Sequence, residues 1–433
     1  MKPPRRRRRV DECLFFSRDN GLYELDRFFG PVVDGVIPWR RPTRRRAFLA
    51  LTVGGAGALA GCVSDGSEEP IREDPLDPAV GGVPMFQYDR ENTGDAGTVG
   101  PVVGDAIDPT ERFQVGTDGP IRASPAVVDG AVYVGGGRRI DAVDATDGVR
   151  LWSADTTGAV RSAPAVVDGT VYVGTSADHL YALDAADGTE RWRFDANGPI
   201  DAAPTVSDGV VYAATRATEG RVYAVDAETG AERWRFETAY RVISSPAIAD
   251  GTVYVGGWDS AVYAIDAADG TERWRVETDQ PVLSSPASSD GIVYIGGNDD
   301  TVYALDAADG TERWTVDTNG IATTPAVVDG TVYVGTETDA GHVYALDAAD
   351  GTERWRIEAG TAVTTPPSVA DAVHIGHRDG SVAAYRRDDG TERWRVGTGE
   401  EVRATPVVAD GIIYVGNTSG NLYAFGRPEA SGE

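Results

Sequence analysis

Between residues 111 and 425 the apolar positions never form the one-sided stripe of a helix. They come in short runs rich in Val, Tyr, Leu and Ala, each closed by a turn signal. Residues 162 to 194 show the unit: SAPAVVDG, TVYVGTSAD, HLYALDAADG, TERWRF. No run is long enough for a helix of ~10 residues, and Asp-Gly between two β-rich runs signals a hairpin, so the unit predicts four antiparallel strands. The first three runs are apolar at almost every position, as strands covered on both faces must be. The fourth alternates: Trp192 and Phe194 fall on one side, Arg191 and Arg193 on the other, which suits a half-solvated edge whose charges discourage further pairing.

The unit recurs. VYALDAADGTERW stands word for word at 302 to 314 and at 343 to 355, with near copies at 180, 222 and 262. Its tryptophans are Trp152, Trp192, Trp234, Trp274, Trp314, Trp355 and Trp394, spaced by 39 to 42 residues, and Phe113 continues the series upstream. A second landmark recurs at Pro125, Pro164, Pro204, Pro246, Pro286, Pro325, Pro366 and Pro406. Four strands every ~40 residues make a propeller blade. The expected fold is therefore all-β: an eight-bladed propeller of four-stranded antiparallel blades over residues 83–426. Because the last unit stops after LYAF at 422–425 while ERFQV at 111–115 is left over, the N-terminal run should close the ring as the eighth outer strand.

The offsets of Ala182, Asp184, Gly188, Glu190 and Trp192 resemble the tryptophan-docking motif of the PQQ-type propeller family, which includes quinoprotein alcohol dehydrogenases and the lipoprotein BamB. The resemblance runs from 111 to 425, and VPMFQYDRENTG at 83–94 is similar to the family's lead-in segment. It implies that the seven tryptophans dock between neighbouring blades. It also implies that the Asp accepts N–H groups of its own hairpin and that the Gly supplies a positive φ. Repetition then has a mechanical reading, since a repeated interface needs repeated residues. Arg386 and Gly426 stand where Asp is expected, so those two turns should be looser. As calcium loops the DAADG hairpins carry too few acids.

Charge narrows the partners. Arg and Lys total 40 against 68 Asp and Glu, and the single lysine is Lys2. Beyond residue 46 the balance is 27 basic to 62 acidic, a charge of -35. Such a body repels polyanions and argues against nucleic-acid binding; its nearly lysine-free acidity resembles haloarchaeal proteins.

The N-terminus reads as an address. RPTRRRAFLALTVGGAGALAGC at 41–62 joins arginines, an apolar run and a cysteine behind small residues. The run from Ala47 to Ala60 makes roughly 21 Å of helix, short of a bilayer core of about 30 Å, so a cleaved signal over 1–61 is expected. Arg45 to Leu49 resembles a twin-arginine export motif, and Leu59 to Cys62 resembles a lipobox that would make Cys62 the lipid-bearing first residue. Residues 1–40 do not suit a signal, and translation is expected to start near Val33 or Val36. An acidic tether at 62–82 would hold the body off the membrane's outer face, and 427–433 form a short tail.

Catalytic chemistry is hard to find. A quinoprotein dehydrogenase, by resemblance, would need an adjacent cysteine pair against the quinone, a calcium held by Glu, Asn and Asp, and long pocket loops. Cys13 and Cys62 both precede the repeats, and unit lengths vary by at most three residues. Asp201, Asn298, Asp299 and Asn417 lie in separate units without a motif; His374 and His377, in the drifted VHIGHRDG, are the one candidate metal pair, and His179 and His342 should face solvent. No catalytic residue, metal or cofactor is expected, PQQ with calcium belonging to the enzyme alternative alone. The expected role is a monomeric, non-catalytic binding or assembly scaffold for a protein, peptide or glycan.

Variation along the array suggests where a partner sits. Turns between strands one and two and between three and four share one face and are monotonous (VDG, ADG, DAADG). On the opposite face, three residues before each proline, stand Arg122, Arg161, Asp201, Ile243, Leu283, Ala322, Val363 and Arg403. Blade eight adjoins blade one, so three arginines are contiguous and apolar residues lie across from them. Arg138, Arg139, Arg216 and Arg221 should extend the basic arc, and Tyr240 and Trp258 the apolar one. Pairing of these arginines with Asp118, Asp201 or Glu400 is the competing expectation.

Overall fold

The computed structural model describes residues 109–427 together with Asp89 and Asn92. The signal region, Cys62, the tether, the rest of the lead-in and residues 428–433 lie outside the described residues.

Eight four-stranded antiparallel sheets follow one another along the chain. Blade 1 comprises Ala126–Val128, Ala131–Gly136, Arg139–Asp144 and Arg150–Asp155, from the innermost strand outward, and blades 2 to 7 repeat this order. Blade 8 takes Val407–Ala409, Ile412–Gly416 and Asn421–Gly426 from the C-terminus and its outer strand, Thr110–Gly116, from the N-terminus. The pairing runs from Thr110 opposite Gly426 to Gly116 opposite Asn421. The two ends of the repeat array are thus fastened to each other, and Phe113 and Val115 bury their side chains in doing so.

The core lies between blades. Tyr133, Ile140 and Trp152 of blade 1 pack with Val171, Val173 and Leu183 of blade 2, and equivalent clusters recur around the ring. This explains the continuous apolar runs, because each middle strand has a neighbouring blade on both sides.

The outer strand departs from plain alternation. Ala182 faces Trp192 and Leu183 faces Glu190, so Arg191 sits in a bulge, and all eight outer strands shift register at this place. The Arg191 guanidinium therefore turns back onto Asp184 at 2.7 Å instead of pointing away to guard the edge.

The hairpin motif works as the resemblance implied. Asp184 accepts the Ala186 N–H at 2.9 Å, and the Trp152 indole N–H donates to the Ala185 carbonyl at 2.9 Å across the blade boundary. Gly188 has φ +74°, and a Cβ there would stand 2.6 Å from the Trp152 ring, so the position excludes side chains twice over. The sequence reading missed the second-strand tyrosine: Tyr133 donates to the same Ala185 carbonyl at 3.2 Å, as Tyr172 and Trp192 share that of Ala227.

The two deviant turns are not the loosened hairpins expected. Arg386 keeps the backbone pattern, its N–H bonded to the Thr391 carbonyl at 2.9 Å, and its side chain holds Asp388 at 3.1 Å. Arg393, deprived of the usual Asp, takes Asp371 at 2.8 Å. At Gly426 there is no hairpin to loosen, since the next strand comes from the other end of the chain.

Candidate functional site

Each chain segment that climbs from an outer strand to the next inner strand crosses the variable face and ends on a buried anchor just before its proline. Val160, Ile200, Val242, Val282, Val402 and Ile121 are these anchors, each fully or almost fully buried. The residue after the anchor stands at the mouth of the central channel, which places Arg122, Arg161, Asp201, Ile243, Leu283 and Arg403 there. In blades 6 and 7 the anchors are instead Ala322, packed on Gly296, and Val363, packed on Gly335. Thr323 and Thr364 hold the places after the anchors, and Ala322 still lines the second cavity beside Thr323. The signal was in the spacing: from aromatic landmark to proline is 12 residues elsewhere, but 11 from Trp314 to Pro325 and from Trp355 to Pro366.

The structure brings the three arginines together. A cavity of ≈ 180 Å³ on the channel axis is lined by Arg122, Arg161 and Arg403 with Asp201, Ile243 and Pro366. Beneath the arginines lies a small apolar floor, Ala123, Ala163 and Ala203. The other half of the floor is hydroxylic. Ser245 Oγ accepts the Ala203 N–H at 3.0 Å, Ser285 Oγ the Ser245 N–H at 2.8 Å, and Thr324 Oγ1 the Ser285 N–H at 2.8 Å, so blades 3 to 6 are stitched in sequence. An adjoining cavity of ≈ 200 Å³ is lined by Leu283, Ile321, Thr323, Thr364 and Pro366. Lower in the channel the Asn92 amide donates to the carbonyls of Pro246 and Pro286, both at 3.2 Å. Asn92 thus reaches the inner ends of blades 4 and 5.

Several basic residues singled out from sequence are already taken. Arg216 holds Asp201 at 2.5 Å, Arg221 holds Glu237 at 2.9 Å, and Arg403 holds Glu401, not Glu400, at 2.9 Å. Arg139 is bound by the buried Asp141 at 3.0 Å. Among the described residues, the side chains of Arg122, Arg138 and Arg161 have no ion pair or hydrogen bond, and all three are exposed. Tyr240 and Trp258 do meet, with ring centroids 6.5 Å apart, and Arg241, which the sequence reading overlooked, lies over both rings at 5.2 and 5.6 Å. It too has no carboxylate partner among the described residues.

The opposite face is different. There each hairpin Asp is bound by the Arg of its own outer strand, at 2.6 to 2.9 Å in blades 2 to 6. Hydrogen bonds from Arg233 and then Thr229 hold the Asp226 carboxyl down at about 2. One carboxylate of each of these hairpins is thus paired, while Asp187, Asp269, Asp309 and Asp350 accept only N–H groups or hydroxyls of their own turns and keep the rim acidic.

Three of the four polar residues considered for a calcium site are engaged within the fold. Asp201 is held by Arg216, Asp299 accepts the Tyr303 hydroxyl at 2.5 Å, and Asn417 is buried with its amide on the Thr398 carbonyl. No three His, Cys, Asp or Glu converge on a common point among the described residues. His374 is buried against the Trp394 ring at 5.6 Å in the place of the repeat's tyrosine, and His377 lies between the Ser381 carbonyl and the Tyr385 hydroxyl, both at 3.3 Å. Burial pushes both imidazoles down to about 4, so they are neutral packing groups near pH 7.

Comparison with known proteins agrees with this architecture. The family model described as outer membrane protein assembly factor BamB matches residues 136–257, 218–325 and 298–429. No curated protein matches. Among solved structures, BamB from Moraxella catarrhalis is similar at TM-score 0.63 and 19% identity, over 73% of this chain and 99% of that one. The quinohemoprotein alcohol dehydrogenase from Comamonas testosteroni is similar at TM-score 0.67 and 18% identity, over 81% of this chain and 82% of that one. At TM-score 0.66 and 21% identity, the computationally designed Ika8 protein matches 73% of this chain and 99% of its own. With matched segments running from residue 136 to 429, this chain belongs to the PQQ-type propeller family described as outer membrane protein assembly factor BamB.

Proposed function

We propose that this protein is a non-catalytic scaffold, exported and lipid-anchored through Cys62 at the outer face of the cell membrane, which holds a protein, peptide or glycan partner on the variable face of its propeller. One observation carries the reading. In a body with a large excess of acids, Arg122, Arg138, Arg161 and Arg241 keep no carboxylate partner among the described residues, and all four stand on that face, while the outer-strand arginines of blades 2 to 6 opposite are each paired with a hairpin Asp. Unpaired guanidinium groups beside Ile243, Leu283 and the Tyr240–Trp258 platform offer a partner charge-assisted hydrogen bonds and apolar burial together. The assembly role in the family's description fits a scaffold of this kind.

The test is capture of the partner by crosslinking on intact cells. Changing Arg122, Arg161 and Arg403 together to Glu is expected to abolish capture with the fold intact by circular dichroism. Equal loss from altering the DAADG face would place the partner on the other side. The likeness to a quinohemoprotein dehydrogenase supports a second reading, an enzyme. Against it, the two mouth cavities are each smaller than the ~300–1,000 Å³ of a typical ligand pocket. Saturable PQQ binding with dye reduction in the presence of calcium would establish the enzyme instead.

A further inference from the structure

We propose that the axial cavity receives the free carboxyl end of a polypeptide whose last residue is apolar. This deepens the docking proposal above and rests on it. The chemistry comes first. Arg122 and Arg161, from adjacent blades, face one cavity without an acid of their own, and a guanidinium in that state takes a carboxylate through two parallel hydrogen bonds. Ser245 and Ser285 line the same space; each hydroxyl oxygen accepts one backbone N–H, which leaves its O–H to donate to an anion. Across from the arginines are Ile243 and Pro366, and the second, more apolar cavity opens beside them at Pro366.

Shape then selects among carboxylates. A terminal residue carries its carboxylate and its side chain on one Cα, a few ångströms apart, as the cationic and apolar walls require. An internal Asp or Glu would bring two arms of chain into a space of only ≈ 180 Å³ ringed by the inner ends of the blades. A chain threading the channel would meet Asn92, whose side chain spans the carbonyls of Pro246 and Pro286. A space obstructed in this way suits an end. A small carboxylic acid shares this chemistry but would leave unused the rim around the cavity, where Arg138, Tyr240, Arg241 and Trp258 stand.

The experiment is calorimetric titration of the full chain, at one salt concentration, with an N-acetylated decapeptide ending in leucine, its C-terminal amide, and N-acetyl-leucine. Saturable binding of the free acid is expected, at least tenfold weaker for the amide and for N-acetyl-leucine. The Arg122→Gln, Arg161→Gln double variant, whose side chains support nothing in the fold, should lose at least tenfold for the free acid while its circular dichroism is unchanged. Equal binding of acid and amide would overturn recognition of a terminus, and equal binding of N-acetyl-leucine would overturn the polypeptide source. If the peptide fails to bind but partner capture still depends on the three arginines, this inference falls and the docking face survives. If the peptide binds but capture is indifferent to them, the docking face falls.

Discussion

At the scale of single residues, the informative positions are those where a unit departs from its siblings. His374 and His377 stand where other units have Tyr and, in several, Thr, and both are held neutral by burial. A histidine whose folded pKa is lowered binds its proton more readily in the unfolded chain. Its contribution to stability is therefore present above the unfolded value near 6.5 and is lost as pH falls from there to about 4. Replacing them by the repeat's own residues, His374→Tyr with His377→Thr, is expected to flatten the fall of the denaturation midpoint across that window; an unchanged slope would show that other groups carry it. Asp141 is a second departure. It replaces the third-strand tyrosine at the boundary with the closing strand, and there it accepts Ser153 at 2.5 Å and Arg139 at 3.0 Å. Arg150 lies beside it at 3.6 Å and reaches across to the Gly116 carbonyl at 2.7 Å. Because removing one member strands buried charge, Asp141→Ala should cost about 3 kcal/mol or more in chemical denaturation.

At the scale of elements, the closing strand is the one piece whose partner lies at the far end of the chain. Its six paired positions, from Thr110 with Gly426 to Gly116 with Asn421, fasten the ring, and burial of Phe113 and Val115 supplies roughly 1.5–3 kcal/mol each. Deleting residues 108–117 is expected to lower the unfolding temperature and to leave Asn421–Gly426 as an unpaired edge open to hydrogen exchange. Unchanged stability would mean that blade-to-blade packing alone holds the ring.

At the scale of the whole molecule, net charge opposes compaction. The repeats repel one another when the screening length is about 30 Å at 0.01 M salt and much less when it is about 3 Å at 1 M. Denaturation midpoints should therefore rise steadily between 0.1 and 3 M salt; a flat series would show that the Asp–Arg pairs of the hairpin rim already cancel the repulsion.

Strand order and blade number were legible in the sequence because they depend on information held within a few residues: turn chemistry at Asp-Gly, run length, and a landmark repeated at a fixed interval; ring closure, which pairs the two ends of the array, was legible by counting, since the last unit lacks an outer strand and one run is left over. The docking of Trp152 and its siblings was legible for the same reason, each contact being a copy of the last. What the sequence left open is whether a given arginine is free, because its partner lies on a neighbouring strand or loop. Arg216 with Asp201 and Arg393 with Asp371 are 15 and 22 positions apart, and nothing local distinguishes them from the unpaired Arg122 and Arg161. Nor does a linear alignment on proline show that a one-residue shortening is absorbed before the anchor, making Ala322 and Val363 the packed anchors and Thr323 and Thr364 the residues that follow them. Local chemistry determined the ring; only the packed ring, by putting eight loops around one axis, decided which charges cancel and which are left for a ligand.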